Sequence, residues 1–258
     1  MFVRTLLLLI TSFMILSPAH GGEAVIYQHE DTTLEGYLAY PDPEEFQNKR
    51  PAVLIAHQWK GLGGYEKRRA DMLADLGYIA FALDVYGQGI RPATTKAASA
   101  ESSKYKDNPD LARERMMAAL DHVRGINNVD VEDIAVIGYC FGGTMALELA
   151  RAGADIDAAV SFHGGLATQE EAEEGKVKAA IQIHHGADDP YVEEDEVEDF
   201  REEMNEAQAD WHIISYADTV HSFTEKEAGN NPKSGVAYNA KADQRSWAYT
   251  LEFLEQVF

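Results

Sequence analysis

Short runs of apolar residues alternate along the chain with longer segments in which apolar residues recur every three or four positions. The short runs are typical of strands that are buried on both faces of a parallel sheet. The longer segments are typical of helices that cover such a sheet. The pattern therefore predicts an α/β fold with a mostly parallel central sheet and helices on both faces. The predicted strands are Ala52–Ala56, Tyr78–Leu83, Ile134–Ile137, Ala158–Phe162, Ala180–Ile183 and His212–Tyr216, with a further hairpin at Ala24–Tyr40.

Three helices carry signals at their ends or along one face. Asn108 suits an N-cap and Pro109 suits the first helical turn, and the apolar residues that follow them form one stripe. A second helix is predicted to begin near Glu193, where an acidic first turn is favoured by the helix dipole. The last predicted helix covers residues 241–257.

The N-terminal segment differs from the rest of the chain. Arg4 precedes an apolar run at Leu6–Leu16, and small residues follow that run. This order is typical of a secretory signal peptide, which we place at residues 1–21 with a boundary good to about two residues. The alternative, a buried helix or a permanent anchor, is disfavoured because the run is short. We therefore expect an exported protein, periplasmic or extracellular, in which residues 22–258 form a single domain.

The charge of the chain excludes some classes of partner. The sequence contains 22 basic and 44 acidic residues, which gives a net charge of −22. This charge repels nucleic acid and anionic lipid, so we expect neither nucleic acid nor, once the signal peptide has been removed, a membrane as a partner. Solubility or a saline habitat explains the acidity more simply than a functional acidic patch. The sequence contains no signal for an oligomeric state.

Cys140 is the single cysteine of the chain, so it cannot close an internal disulfide. It lies between a predicted strand and a helix of small residues at Thr144–Ala152, with glycines at positions 138 and 142. This spacing and context are those of a nucleophile elbow, a tight turn that exposes a nucleophile at a helix N-terminus. The helix N-terminus favours a thiolate. We predict that Cys140 is a nucleophile; the alternative is an inert buried thiol at an ordinary turn.

A nucleophile in such an elbow needs a base and an acid that orients the base, in the chain order nucleophile, acid, histidine. His221 follows the last predicted strand and is the predicted base. Asp188 and Asp189 both follow the strand Ala180–Ile183, and spacing does not distinguish between them. The other candidate histidines, which we interpret as structural, are His163, His184 and His185. No zinc-site spacing is present, so we expect neither a metal nor another cofactor.

The turn after the first buried strand is expected to lie beside the elbow. The backbone N–H groups of Trp59 and Phe141 are therefore predicted to form an oxyanion hole. For the side chain of Trp59, packing in an ordinary loop is an equal alternative. The segment 87–108 is predicted to be a long loop with a short helix that borders the site. The residues expected to line the substrate pocket are Gln58, Trp59, Tyr86, Arg91, Ser222 and Phe223.

Over nearly all of residues 22–258 the sequence resembles the dienelactone hydrolase family. The motifs that carry the resemblance are Gly36-Tyr37-Leu38, His57-Gln58-Trp59-Lys60-Gly61, Gly77-Tyr78-Ile79-Ala80, Asp84-Val85-Tyr86-Gly87, the elbow at Cys140, Gly186-Ala187-Asp188-Asp189-Pro190 and His221-Ser222-Phe223. The resemblance implies an α/β-hydrolase fold and metal-free hydrolysis of an ester or lactone by a Cys-Asp-His triad. It also implies that Asp189 is the acid, because the family's aspartate comes three residues after the glycine at position 186.

Two positions depart from family members that open dienelactones. Those members carry a glutamate where this chain has Gln58 and a substrate-binding arginine where it has Glu225. Neutral Gln58 cannot act as an acid toward the thiol, so we expect the thiol to pair with His221. Glu225 would repel a substrate carboxylate, which argues against dienelactone itself. Arg91 is a further cation whose position the sequence does not define.

We expect a small-molecule ester or lactone to be hydrolysed in two steps. His221 deprotonates Cys140, the thiolate forms an acyl-enzyme, and water then releases the acyl group. One alternative is a non-hydrolytic binding module or thiol sensor on the same fold. The other is a true dienelactone (carboxymethylenebutenolide) hydrolase.

Overall fold

The protein is represented by a computed structural model that describes residues 21–258. The predicted signal peptide therefore lies outside the described residues, except for its last position. An eight-stranded sheet runs through the described part of the chain. Its strands are β1 (Glu23–His29), β2 (Thr32–Ala39), β3 (Arg50–Ala56), β4 (Ile79–Leu83), β5 (Val129–Tyr139), β6 (Ala158–Phe162), β7 (Ala180–Gly186) and β8 (Trp211–Tyr216).

The order of the strands across the sheet is β1-β2-β4-β3-β5-β6-β7-β8. β2 pairs antiparallel with β1 and β4, and all neighbouring pairs from β4 to β8 are parallel. The predicted α/β class with a mostly parallel sheet is therefore confirmed. The predicted hairpin is present as β1 and β2, and β5 extends several residues beyond the apolar run that predicted it.

Helices cover both faces of this sheet. Those in the described residues are α1 (Gly64–Ala74), α2 (Thr95–Lys106), α3 (Pro109–Arg124), α4 (Phe141–Arg151), α5 (Glu194–Glu206) and α6 (Ala240–Val257). Alternate residues of one strand point to opposite faces. Leu54 in β3 packs with residues of α3, α4 and α5, whereas Val53 and Ile55 pack with residues of α1 and α6. None of the helices between residues 21 and 258 has the length and apolar character needed to cross a bilayer.

The helices agree with their sequence signals to different degrees. α3 starts as predicted, and the side chain of Asn108 accepts a hydrogen bond from the backbone N–H of Leu111. The segment expected to be a loop with a short helix contains α2, which has 12 residues. The pattern analysis did not predict α1, because Glu66 and Arg69 lie on its buried face and interrupt the apolar stripe.

A buried group of charges connects α4 to α5. The guanidinium of Arg151 donates to both carboxylate oxygens of Glu203 at 2.8 Å and to Glu148 at 3.0 Å. It also donates to the backbone oxygen of Leu166 at 2.6 Å. The Arg151 side chain is fully buried, and Glu203 depends on it for its compensating charge, whereas Glu148 also pairs with Arg113 at 2.9 Å.

Replacing Arg151 with methionine should strongly destabilise the fold. The substitution keeps an apolar stem but leaves the buried carboxylate of Glu203 without a cation, which costs about 3–5 kcal/mol of unfolding free energy. Glu148 keeps its contact with Arg113. Arg201→Met is the matched control, because Arg201 is partly exposed and its partners Glu194 and Glu198 are exposed. The control should cost less than about 1 kcal/mol. Urea denaturation measures both values, and equal losses would contradict this account of the Arg151 group.

Candidate active site

Several candidate residues meet at the carboxyl edge of the sheet. Cys140 follows β5, Asp189 follows β7, and His221 follows β8, while Trp59 follows the neighbouring strand β3. Parallel strands end at the same edge of a sheet, where the sites of open α/β folds form. The topology therefore brings together side chains that are up to 162 positions apart in the sequence, since 221 − 59 = 162.

The turn that carries Cys140 is strained and closely packed. Cys140 has φ +54° and ψ −119°, a backbone conformation that favours glycine, and its N–H donates to the oxygen of Phe162 at 3.0 Å. A Cβ atom added at Gly138 would lie 1.9 Å from the Gly142 oxygen, and one added at Gly142 would lie 2.1 Å from the Ala56 oxygen. The two glycines are thus required for steric reasons. The turn leaves the cysteine half-buried at the start of α4.

The three predicted triad residues form a continuous chain of contacts from Cys140 through His221 to Asp189. His221 Nε2 lies 3.1 Å from the sulfur of Cys140, and His221 Nδ1 lies 2.8 Å from Oδ2 of Asp189. The Asp189 side chain is fully buried, and its Oδ1 accepts a hydrogen bond from the backbone N–H of Tyr191 at 2.9 Å. Asp188 is exposed to solvent. The structure therefore separates the two adjacent aspartates, which spacing did not.

The electrostatics of His221 depend on its two neighbours. Burial alone lowers the pKa of an imidazole, but the negative charge of Cys140 and the hydrogen bond to Asp189 outweigh burial and raise the pKa of His221 to about 10. The ring then keeps its proton at neutral pH. His221 thus has the sulfur of Cys140 on one side of its ring and the carboxylate of Asp189 on the other.

Two backbone donors are available beside these residues. Among residues 21–258, no acceptor binds the N–H of Trp59 or of Phe141. The Trp59 peptide is held in place because its oxygen accepts a hydrogen bond from the hydroxyl of Tyr86 at 2.9 Å. The preceding N–H, that of Gln58, donates to the side chain of Glu66 in α1 at 3.2 Å. These contacts leave the two predicted oxyanion-hole donors free to bind a developing negative charge.

Four of the predicted pocket residues, Gln58, Trp59, Tyr86 and Ser222, lie beside the site. Gln58 donates from its side-chain amide to Glu225 at 2.5 Å, beside the site. Trp59 is half-buried, whereas Tyr86 and Ser222 are buried. The hydroxyl of Tyr86 contacts the Trp59 peptide, and Ser222 directly follows His221.

Two pocket predictions need correction. The guanidinium of Arg91 donates to the oxygens of Leu62 and Ile90 at 2.6 and 2.7 Å and lies 3.5 Å from buried Asp84. Its hydrogen bonds therefore stabilise the surrounding loops. Phe223 is fully buried against Tyr216 and His163, so it belongs to the core.

Sequence reasoning missed two neighbours of His221. Tyr191 is 59% exposed, and its ring stands edge-on to His221 with a centroid separation of 5.3 Å. Its position two residues after Asp189 was the available signal. His163 is buried and also stands edge-on to His221 at 5.3 Å, while its Nε2 lies 2.8 Å from Oγ1 of Thr224. Burial and the positive charge of His221 lower the pKa of His163, so this ring stays neutral.

The other two candidate histidines have different surroundings. His184 is buried and lies 2.9 Å from the hydroxyl of Tyr216 and from Gln182. His185 is also buried. Within the described residues, no three His, Cys, Asp or Glu side chains form a group that could hold a metal ion.

Comparison with known proteins adds a family and a fold. A profile of the dienelactone hydrolase family matches residues 34–258. The crystal structure of a dienelactone hydrolase-like promiscuous phosphotriesterase from metagenomic libraries is 34% identical, covers 92% of this chain and 98% of its own, and superposes with a TM-score of 0.86. A solved protein named m3DLH is 32% identical over 93% of this chain and 100% of its own, with a TM-score of 0.88.

A relative from Aquifex aeolicus, provisionally named a carboxymethylenebutenolidase, is 27% identical over 254 residues. The match covers 91% of this chain and 98% of that protein. The α/β-hydrolase fold that the motifs implied is confirmed by these similarities.

The two adjacent aspartates provide a matched test of the site. Asp189→Asn should lower the rate at which a neutral alkylating agent modifies Cys140 at neutral pH, by about tenfold, because the imidazolium loses a charged partner and stabilises the thiolate less. Asp188→Asn removes the same charge from an exposed neighbour and should leave the rate unchanged. The rates are measured by intact-protein mass spectrometry. Equal rates in the two variants would contradict the assignment of Asp189.

Proposed function

Because this chain belongs to the dienelactone hydrolase family, it is a hydrolase of esters or lactones, and we propose that Cys140, His221 and Asp189 carry out the reaction. Cys140 is the nucleophile, His221 transfers protons, and Asp189 orients His221. The observation that supports this proposal is the continuous contact from sulfur to imidazole to carboxylate, at 3.1 and 2.8 Å. We propose a small-molecule ester or lactone as the substrate.

The first step forms a thioester. The thiolate of Cys140 attacks the carbonyl carbon, and the carbonyl π electrons move to the oxygen, which the N–H groups of Trp59 and Phe141 stabilise. The tetrahedral intermediate then expels the alcohol oxygen, which takes the proton from Nε2 of His221. The products of this step are the free alcohol and an acyl group bound to sulfur, with His221 neutral.

The second step releases the acyl group. Neutral His221 accepts a proton from water at Nε2, and the resulting hydroxide attacks the thioester carbonyl. The second tetrahedral intermediate expels the thiolate, which restores the pair with the imidazolium, and the carboxylic acid leaves. Throughout both steps Asp189 keeps Nδ1 protonated and the ring oriented. No group other than these residues and water is needed to balance the reaction.

Removing the sulfur should abolish turnover. Cys140→Ala should lower kcat/KM by at least about 1,000-fold on every ester that the wild-type protein hydrolyses, because the members of a triad act as a unit. The substrate panel contains short-chain esters, aromatic esters and lactones. Thermal unfolding of the variant controls for loss of the fold, and covalent blocking of the wild-type thiol with iodoacetamide should reproduce the loss. Equal rates for wild type and variant would overturn the proposal.

A further inference from the structure

A hydrogen bond connects the two loops that carry the oxyanion donor and the base. The side-chain amide of Gln58, next to Trp59, donates to Oε1 of Glu225 at 2.5 Å. The Glu225 N–H donates to the oxygen of Ser222 at 3.0 Å, so Glu225 closes the turn that directly follows His221. The pair therefore lies beside the reacting groups and joins positions that are 167 residues apart.

The Gln58–Glu225 pair leaves hydrogen-bond acceptors unused. An ionised carboxylate only accepts, so the amide nitrogen of Gln58 must face it and the amide oxygen must face away. Within residues 21–258, neither this amide oxygen nor Oε2 of Glu225 receives a hydrogen bond from another residue. Gln58 is buried and Glu225 is half-buried, but neither of these two oxygens is among the fully buried atoms without a partner, so both keep some exposure. A ligand that enters beside the pair therefore meets two free acceptors.

The charges around Glu225 do not supply a free buried cation. Lys60 lies close enough to lower the pKa of Glu225, but its side chain is exposed to solvent. Glu66 lies close enough to be affected by the charge of Glu225. Glu227 is exposed and lies 3.7 Å from exposed Arg68. His221 carries a positive charge, but the carboxylate of Asp189 lies 2.8 Å from its Nδ1. Burial raises the pKa of Glu225 in spite of the hydrogen bond from Gln58, which shows that water screens this carboxylate only in part.

Arg91, the cation predicted to line the pocket, already has partners within the protein. The guanidinium of Arg91 binds two backbone oxygens and lies beside buried Asp84, as described above. The net charge of −22 adds a long-range field that attracts cations and repels anions. Local contacts and the overall field therefore favour the same kind of ligand.

We propose that Gln58 and Glu225 form a substrate subsite that selects esters with a hydrogen-bond donor, most strongly an ammonium group, and rejects esters that carry a carboxylate. This inference rests on the proposed function, because the subsite has meaning only beside a working nucleophile. A donor group on the substrate would bind the oxygens that this pair leaves unused, of which Oε2 of Glu225 also carries negative charge. A carboxylate would find two acceptors and a like charge there, with only the exposed ammonium of Lys60 to compensate.

The test uses two series of matched esters, with the charge on the acyl chain in one series and on the alcohol in the other. Each series contains an ammonium, a hydroxyl, a methyl and a carboxylate member of equal length. At about pH 8, where carboxyl and ammonium groups are charged, the wild-type kcat/KM in at least one series should fall in that order. The ammonium member should exceed the carboxylate member by at least about tenfold at low salt.

The variants separate the local carboxylate from the overall charge. Glu225→Gln keeps the shape of the side chain and should reduce the ammonium-to-carboxylate ratio, and Glu225→Arg should reverse it. Glu227→Gln is the matched control, since it removes an equal charge from an exposed neighbour and should leave the ratio near the wild-type value. Ratios within one variant do not depend on the fraction of protein that is folded, so partial unfolding cannot produce the effect.

Two results would overturn the subsite. One is a wild-type preference for the carboxylate members, and the other is a ratio that Glu225→Gln and Glu225→Arg change no more than Glu227→Gln does. Either result leaves the proposed function standing if turnover of the methyl esters still requires Cys140. Turnover of those methyl esters by Cys140→Ala would instead sink the proposed function, so the two failures are distinguishable.

Discussion

The 3.1 Å contact between the sulfur of Cys140 and Nε2 of His221 is the interaction on which the site depends. At neutral pH an isolated cysteine is mostly protonated and an isolated histidine mostly neutral, so neither is prepared for acyl transfer. Placed together, each charged form stabilises the other, and buried Asp189 holds the imidazolium from its far side. In the reaction that we propose, the same imidazolium protonates the leaving alcohol.

Holding this contact in place requires backbone strain and buried polar groups. A non-glycine residue held at positive φ costs about 1–3 kcal/mol, and it persists at Cys140 because the surrounding turn permits no other path. Gly138 and Gly142 allow the turn to approach its own helix and β3 closely. Glu66 and Tyr86 hold the turn after β3 through hydrogen bonds to the backbone of Gln58 and Trp59. The predicted oxyanion donor of Trp59 is therefore held in position.

The parts of the structure that depend on local pattern were predictable, and those that depend on contacts between distant loops were not. Apolar runs identified the parallel strands because burial on both faces leaves few positions for polar residues. The pattern did not predict helix α1 because two of its charged residues, Glu66 and Arg69, point inward. Glu66 accepts a hydrogen bond from the N–H of Gln58, and Arg69 donates to Asp243 in α6. Spacing could not separate Asp188 from Asp189, since one residue of rotation decides which carboxylate is buried. The bond between Gln58 and Glu225 joins two loops with no shared sequence signal, so only the folded chain shows it.

The most direct test of this account is the titration of His221, followed by NMR on protein with isotopically labelled histidine. The imidazole of His221 should titrate with a pKa of about 10 in the wild-type protein. In Cys140→Ala the pKa should fall, because the charged ring loses its anionic partner while burial still favours the neutral form. A ring that titrates near the ordinary histidine value of about 6.5 in both proteins would contradict this coupling of His221 to Cys140.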